Sequence, residues 1–206
     1  MILYIIRHGE TIENFTNVHQ HSDAILSEKG REQSKILATK LGELGIEQII
    51  SSPYNRARET TMIINNALQK PVIFDDNLVE YRRPSIIRNK DESSQEIIDL
   101  KKKIEEGWQI NWRHSDEETF EEFKIRIFNF IKNIKDSSKG KVLIVTHGLT
   151  IRMILSMMIF GREMSANEFK KLFHFITCEN TGITTCELYP DGNWGLISSN
   201  DCTHLK

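Results

Sequence analysis

The residues LYIIRHGETIEN, at positions 3–14, give the clearest indication of the fold of this chain. They continue the run ILYIIR, residues 2–7, in which β-favouring apolar residues follow one another without alternation, as in a strand that is buried on both faces. The strand stops at His8-Gly9-Glu10, where glycine permits a sharp turn. A buried strand of this kind belongs to a sheet that helices cover on both sides.

Helices and strands alternate downstream of this first strand. Ser27 is placed to cap a helix that ends near Gly45, because a serine hydroxyl accepts free backbone N–H groups and glycine suits a C-terminal cap. A second strand, EQIIS at residues 47–51, leads to a helix through about Leu68. We expect Ser52 to be the N-cap of that helix, with proline at its first position.

The second half of the chain continues the pattern. Val72–Phe74 is a short third strand, and an irregular loop over residues 75–90 follows it. KVLIVT at residues 141–146 is a fourth strand that ends in His147-Gly148, and the apolar helix behind it closes at Gly161. The remaining expected boundaries are three capping boxes and one hairpin turn: Ser93 with Glu96, Thr119 with Glu122, Ser165 with Glu168, and Pro190-Asp191-Gly192-Asn193.

This order predicts an α/β fold, a three-layer α/β/α sandwich around a mixed, mostly parallel central sheet. We expect a single domain over residues 1–206, with a small helical cap inserted at about residues 92–136. The aromatic and apolar residues of the cap are expected to form its core rather than a ligand platform: Trp108, Trp112, Phe120, Phe123, Ile127 and Phe130.

Composition and charge argue against several classes of partner. The 27 Lys and Arg against 29 Asp and Glu give a net charge of −2, so no global charge favours nucleic acid or an anionic membrane. The most apolar stretch, Leu149–Phe160, is shorter than the ~20 residues that a membrane helix needs. The methionines of this stretch either pack inside the protein or form an apolar face for a homodimer partner. Three cysteines without a CxxC pair, and no basic leader before the first strand, predict a cytoplasmic protein with reduced thiols.

Four groups of polar residues fall at the carboxyl ends of strands, where ligands gather in open α/β sheets. Guanidinium groups match phosphate oxygens, a neutral imidazole attacks phosphorus, and a carboxylic acid protonates a leaving oxygen, so these residue types suit phosphoryl transfer. Each residue alone has an ordinary alternative, such as a polar strand end or a solvated helical turn. The four groups, in chain order, are Arg7-His8, Ser51-Ser52 leading to Arg56, Glu80, and His147-Gly148.

Four ordered motifs resemble the histidine phosphatase superfamily, in the branch related to the cofactor-dependent phosphoglycerate mutases. The resemblance covers most of the chain and is thinnest at about residues 84–115, and Asn180-Thr181 is similar to a turn near the family's C-terminus. The motifs are LYIIRHGETIEN (3–14), SSPYNRARETT (51–61), LVE (78–80) and VLIVTHGLTIR (142–152), with DAILSEKGREQ (23–33) as a supporting match.

The resemblance implies a role for each matched residue. His8 would be the nucleophile that forms a phosphohistidine, and Glu80 would be the general acid that later activates water. The remaining matched residues would hold the phosphoryl oxygens or line their pocket: Arg7, Asn14, Arg56, His147 and Gly148. Arg58 is assigned to the helix surface, because the family's arginine directly precedes alanine. No metal or other cofactor is implied, and His19-x-His21 is too sparse a set for a metal site.

Two departures from the family bear on the reaction. His19–Asp23 replaces a segment in which mutases carry a glycine, and Tyr81–Ser85 replaces a glycine-rich stretch. The cap is also shorter than the insertion that shields a bisphosphate in mutases. We therefore expect a metal-independent phosphatase acting on phosphomonoesters, with a phosphoglycerate mutase or a non-catalytic phospholigand-binding protein as alternatives.

A basic cluster follows Glu80 in the predicted loop. This cluster is either part of a solvated loop or a basic rim around the site, and it consists of Arg82, Arg83, Arg88 and Lys90. As a rim, Arg82 and Arg83 would bind a second anionic group, so the expected partner is a small, anionic phosphorylated substrate.

Overall fold

The computed structural model describes residues 1–137 and 140–206 of the chain. The sheet strands are β1 (Ile2–Arg7), β2 (Gln48–Ser51), β3 (Val72–Phe74), β4 (Lys141–Thr146), β5 (Ile183–Leu188) and β6 (Trp194–Asp201). The α-helices are α1 (Ile12–Thr16), α2 (Glu28–Gly42), α3 (Asn55–Leu68), α4 (Gln95–Gly107), α5 (Phe120–Ser137), α6 (Gly148–Phe160) and α7 (Ala166–Phe175). None of the described helices is long and apolar enough to cross a membrane.

The central sheet has the strand order β3-β2-β4-β1-β5-β6. The pairs β3–β2, β2–β4 and β4–β1 are parallel, while β5 and β6 pair antiparallel at one edge. The predicted mixed, mostly parallel sheet is therefore confirmed. In the β1–β4 ladder Arg7 lies opposite Thr146, so the residues that follow, His8 and His147, leave the sheet side by side.

Helices cover both faces of the sheet, because β1 and β4 are apolar on both sides. Tyr4 and Ile6 pack in one core with Leu37 of α2 and Ile64 of α3. On the other face a second core joins β1 and β4 to α5 and α6, through residues that include Leu3, Ile5, Ile144, Phe123, Ile127 and Met153. This arrangement is the expected three-layer sandwich.

Five of the six residues predicted to form the core of the region 92–136 are buried, and the sixth, Trp112, is only partly buried. Trp108 and Phe120 are each 2% exposed, and Phe123 is fully buried. They belong to the same core as the sheet residues, since α5 packs against α6. The bounds of a functional cap at residues 92–136 stay a prediction.

Two predicted helix caps are wrong, and both serines have other partners. The helix α3 begins at Asn55 after Tyr54, because the Ser52 hydroxyl lies 2.8 Å from the ring of His147. The helix α4 begins after Ser94, while the Ser93 hydroxyl donates to Asp91. The caps at Ser27 and Ser165 and the reciprocal bonds of Thr119 and Glu122 are confirmed, and α2 ends at Gly42, before the turn that contains Gly45.

Candidate active site

Two histidines meet at the carboxyl edge of the two central parallel strands. The His8 and His147 ring centroids are 5.1 Å apart, and the planes are inclined by 59°. The His8 backbone N–H donates to the carbonyl of Thr146, which continues the β1–β4 ladder up to His8. Both rings are buried, with 2% exposure for His8 and 0% for His147. The convergence of these imidazoles, predicted from sequence, is thus observed.

The hydrogen bonds of His8 define which ring nitrogen carries the proton. Its Nδ1 lies 2.8 Å from the carbonyl oxygen of Gly9, which only accepts, so Nδ1 is the protonated nitrogen. Arg56 Nε donates to the other nitrogen, Nε2, across 3.0 Å. Burial holds the pKa of His8 well below its ordinary value, and the charges of Arg56 and Arg7 lower it further. At neutral pH His8 is therefore a neutral imidazole with a lone pair on Nε2.

His147 is positioned by Ser52, the residue that follows β2. Its Nε2 lies 2.8 Å from the Ser52 hydroxyl, which also accepts the backbone N–H of Tyr54. Its Nδ1 is buried and has no hydrogen-bond partner in the described part of the chain. Burial is the main reason that the pKa of His147 lies well below its ordinary value, and the charge of Arg56 lowers this pKa further. A Ser52 hydroxyl that donates to Nε2 leaves the ring proton on Nδ1, as an unused donor.

Two arginines surround His8, of which Arg56 is buried and Arg7 is partly buried. Arg7 Nη1 donates to the carbonyl of Cys178, while its buried Nε has no hydrogen-bond partner among the described residues. Arg56 Nη1 donates to the carbonyl of His21 across 2.7 Å. Burial lowers the pKa of Arg56 to about 10, so it stays a cation at neutral pH. The two guanidinium groups form an anion site beside the imidazole.

Glu80 is fixed at the N-terminus of α6. Its Oε1 accepts from the backbone N–H groups of Tyr81 and Thr150 and from the Thr150 hydroxyl. Its Oε2 accepts a bond from the Leu149 backbone N–H at 3.1 Å. This helix end places a carboxylate where the helix dipole favours negative charge. Oε2 accepts fewer bonds than Oε1, so it is the oxygen better able to exchange a proton with a ligand.

A cavity of about 600 Å³ opens onto these groups. Predicted site residues in its wall are Arg7, His8, Asn14, Arg56, Glu80, Arg82, Arg83 and Gly148. His147 is not among the lining residues and contacts the rings of His8 and Tyr54 instead. Asn14 also has a local role that its motif did not predict, because its Oδ1 accepts the Thr11 backbone N–H and closes the cap of α1.

The basic side chains of the loop after Glu80 have different surroundings. Arg83 lines the cavity, its guanidinium lies 5.7 Å from the Tyr81 ring centroid, and its buried Nη1 lacks a hydrogen-bond partner within the described residues. Arg82 is exposed, and its backbone N–H is bound by Glu118. Arg88 pairs with Asp23, and Lys90 is not among the lining residues of this cavity.

Several site residues were not predicted. Arg152 lines the cavity and donates to the carbonyl of Ile176, and Asn180 Nδ2 donates to the His8 carbonyl across 2.9 Å. Glu13 also lines the cavity, and its Oε2 is buried without a hydrogen-bond partner in residues 1–137 and 140–206. Both Arg152 and Glu13 lie within the quoted motifs, so their proximity to His147 and His8 in sequence was an available signal.

Residues for which the sequence predicted no catalytic or metal-binding role have ordinary surroundings. Arg58 is exposed, with its guanidinium 4.5 Å from the Phe74 ring centroid. His19 pairs with Glu92 at 2.8 Å. Within the described residues no group of three or more His, Cys, Asp and Glu side chains is arranged to hold a metal ion. The three cysteines are free thiols.

This chain is similar to known proteins over nearly its whole length. Residues 3–201 match the family model described as "Histidine phosphatase superfamily (branch 1)". A protein of Escherichia coli O1:K1 named "Probable phosphoglycerate mutase GpmB" is 31% identical over 207 residues, which covers 98% of this chain and 94% of that protein.

Solved structures show the same fold at lower identity. The alpha-ribazole phosphatase of Shigella flexneri superimposes with a TM-score of 0.80 at 22% identity, over 98% of this chain and 96% of that one. The phosphoserine phosphatase of Entamoeba histolytica, in complex with 3-phosphoglyceric acid, gives a TM-score of 0.79 at 23% identity, over 100% and 99%.

Proposed function

Because this chain belongs to the histidine phosphatase superfamily, branch 1, we propose that it hydrolyses phosphomonoesters without a metal, through a phosphohistidine on His8. The observation that carries the proposal is the state of His8. Its Nε2 is unprotonated, buried and held by Arg56 at 3.0 Å, beside a second guanidinium, that of Arg7, whose Nε is buried. A neutral imidazole at an anion site is what nucleophilic attack on a phosphate requires.

In the first step the Nε2 lone pair of His8 attacks phosphorus, and the bond from phosphorus to the ester oxygen breaks. The Arg56 hydrogen bond to Nε2 is exchanged for one to a phosphoryl oxygen, which frees the lone pair. Glu80 enters this step as the carboxylic acid with its proton on Oε2, gives that proton to the leaving oxygen and becomes the carboxylate. The products are the alcohol and a phosphohistidine.

The charge of the transferred group is met by fixed protein donors. Arg7 Nε and His147 Nδ1 are both buried and without hydrogen-bond partners among the described residues, so each has a bond to offer a phosphoryl oxygen. Arg56 supplies a second guanidinium, and Gly148 leaves room at the start of α6, where an added Cβ would lie 3.4 Å from Arg152. Preorganised cations of this kind stabilise the transition state of phosphoryl transfer.

In the second step Glu80 accepts a proton from water. The water oxygen bonds to phosphorus while the bond to Nε2 breaks, which releases phosphate and restores His8. The catalytic set is therefore His8, Glu80, His147, Arg7 and Arg56. Asn14, Arg82 and Arg83 are assigned to substrate binding, because all three line the cavity.

The organisation of the chain belongs to the same proposal. Residues 1–206 act as one domain, and residues 92–136 form a cap that shapes specificity beside the cavity. The protein works in the cytoplasm, on a small anionic substrate. A homodimer is the assembly to test by sedimentation equilibrium, because Ile159 and Phe160 at the end of α6 are exposed.

A phosphoglycerate mutase is the second candidate, and the 31% identical relative with that name favours it. A mutase returns the phosphoryl group from His8 to a bound intermediate instead of to water. It would require a bisphosphate to prime His8, whereas a phosphatase would release inorganic phosphate from the first turnover.

The experiment is phosphate release from a panel of phosphomonoesters in the presence of a chelator, with the wild type, His8→Ala and the surface control Arg58→Gln. We expect turnover by the wild type and the control, and none by His8→Ala. Phosphate release by His8→Ala, or dependence of the wild type on added metal, would contradict the proposal. Label from a radioactive substrate should appear on the wild type and on the control, and His8→Ala should stay unlabelled.

A further inference from the structure

We propose that Glu13 and Arg83 form a subsite for opposite charges, so that the preferred substrate is a phosphomonoester carrying both a cationic group and a second anionic group. The inference rests on the proposed function, because it identifies the substrate class of the same cavity. Both side chains line that cavity, from α1 and from the loop after Glu80. Each has a buried charged-group atom that lacks a hydrogen-bond partner in the part of the chain described.

Glu13 is the unusual group in this wall. Its Oε2 is buried and unpaired among the described residues, and its charge acts on Arg56, the guanidinium next to His8. A carboxylate beside the site of a phosphate dianion repels that dianion, and a neutral side chain there would avoid the cost. The carboxylate becomes favourable when the ligand brings a positive, hydrogen-bond-donating group to Oε2. An ammonium group has this chemistry.

Arg83 has the complementary environment. Its Nη1 is buried without a hydrogen-bond partner in the described residues, while its guanidinium rests near the Tyr81 ring. The Tyr81 hydroxyl donates to the Glu118 carbonyl and accepts from Trp108, so the surface under Arg83 is rigid. Neighbouring Arg88 is already paired with Asp23. Arg83 is thus the loop arginine with an unused buried donor, which suits a carboxylate.

The two groups together distinguish substrates by charge pattern. Three of the cavity-lining side chains have a buried charged-group atom without a hydrogen-bond partner in the described residues, and Arg7 is assigned to the phosphoryl group, which leaves Glu13 and Arg83 for the remainder of the ligand. A zwitterionic remainder satisfies both, whereas an anionic remainder satisfies Arg83 and leaves Oε2 of Glu13 unpaired. An unpaired buried charged atom weakens binding, so the site should discriminate against substrates that lack either group.

The test measures kcat/KM for four phosphomonoesters that separate the two charges. O-phosphoserine carries an ammonium and a carboxylate, O-phosphoethanolamine carries the ammonium, phosphoglycolate carries the carboxylate, and ethyl phosphate carries neither. The variants are Glu13→Gln and Arg83→Gln, with Glu32→Gln and Arg58→Gln as exposed controls of matched chemistry.

We expect Glu13→Gln to lower the preference for ammonium substrates over their ammonium-free counterparts by about tenfold or more. Arg83→Gln should lower the preference for carboxylate substrates by a similar factor, and both controls should leave the preferences unchanged. An equal loss on all four substrates would overturn the inference, since Glu13 or Arg83 would then only support the fold or Arg56. Unchanged preferences would overturn it as well.

Binding separates this inference from the proposed function. If the folded wild type turns over none of the four compounds and takes no label on His8, the proposed function fails. Calorimetric titration of the wild type, Glu13→Gln and Arg83→Gln with the same compounds then decides the inference alone. Charge-selective binding that the variants lose would support it, and unselective binding or none would overturn it.

Discussion

Arg56 Nε donates a hydrogen bond to Nε2 of His8 across 3.0 Å, between residues 48 positions apart in the chain. This contact joins the end of β1 to the first turn of α3. A guanidinium at a helix N-terminus opposes the helix dipole, so the position is unfavourable until an anion binds there. The contact keeps a proton off Nε2. When a phosphate binds, Nε2 of His8 is available to attack phosphorus, and Nε of Arg56 is available to donate to a phosphoryl oxygen.

The acid limb of the pH–rate profile should depend on Arg56. Since Arg56 lowers the pKa of His8, Arg56→Gln should raise that pKa towards its ordinary value. The fall of kcat/KM with decreasing pH should therefore begin at a higher pH in the variant than in the wild type. Profiles with p-nitrophenyl phosphate from pH 4 to 8 measure this, and an acid limb at the same pH in both proteins would contradict the assignment.

Protein stability should decrease as the pH falls below about 6.5, the ordinary pKa of histidine. Burial lowers the pKa of His8 and His147, so in this range the unfolded chain binds protons that the folded chain does not. Their contribution is complete above pH 6.5 and is lost progressively towards the lowered pKa values. His147→Asn should flatten the dependence by up to about 1.4 kcal/mol per pH unit in urea unfolding.

The exposed His174 gives the control for this measurement. His174→Asn should leave the slope of unfolding free energy against pH as it is in the wild type. An identical slope in His147→Asn would show that His147 is protonated in the folded protein.

Glu80 should contribute most to kcat/KM when the substrate has a poor leaving group. Glu80→Gln removes the proton donor, so kcat/KM should fall about 100-fold or more for an alkyl phosphate. p-Nitrophenolate leaves without protonation, and for that substrate the fall in kcat/KM should be much smaller. A steady-state comparison of ethyl and p-nitrophenyl phosphate tests this, and equal losses would assign Glu80 to binding.

Ser52 should act on the reaction through His147. Ser52→Ala removes the hydroxyl that lies 2.8 Å from His147 Nε2, so the imidazole loses its orientation and its preferred tautomer. We expect kcat to fall by about tenfold or more, with a smaller change in KM. Ser52→Thr retains the hydroxyl and should recover part of the loss. A variant that unfolds more readily but keeps wild-type kcat would contradict this role.

The buried pair of Glu118 and Arg126 should stabilise the loop that carries Glu80. Arg126 donates to both carboxylate oxygens of Glu118, at 2.9 and 2.7 Å, and also to the Asn77 carbonyl. Arg126→Met leaves a buried carboxylate without its partner, which should cost about 3 to 5 kcal/mol in urea unfolding. The double variant with Glu118→Gln should lose less than Arg126→Met alone, and a greater loss would contradict this role of the pair.

The parts of the site that could be predicted lie where a strand ends. β1 and β4 have no alternation because both faces are buried, and this pattern by itself places His8 and His147 at the ends of two core strands. The two helix caps were predicted wrongly because another hydrogen-bond partner competes for each serine hydroxyl. Ser52 has the chemistry of an N-cap, but its hydroxyl lies against His147, which is far away in the chain and outside any local rule. Ser93 has the same chemistry, and its hydroxyl donates to Asp91, two residues earlier, in a local hydrogen bond that competes with capping.

The strands and most of the buried core could be predicted from the sequence, because apolar periodicity is a local property. The proposed reacting groups followed from the chemistry of the residues at the strand ends and from the family resemblance. The strand order that makes β1 and β4 neighbours, and the tautomer of His8 that Arg56 and Gly9 define, could be read only from the folded structure. The same holds for the unpaired buried atoms that Glu13 and Arg83 keep within the described residues. These properties depend on contacts between residues far apart in the chain, and a contact of that kind exists only after the chain has folded.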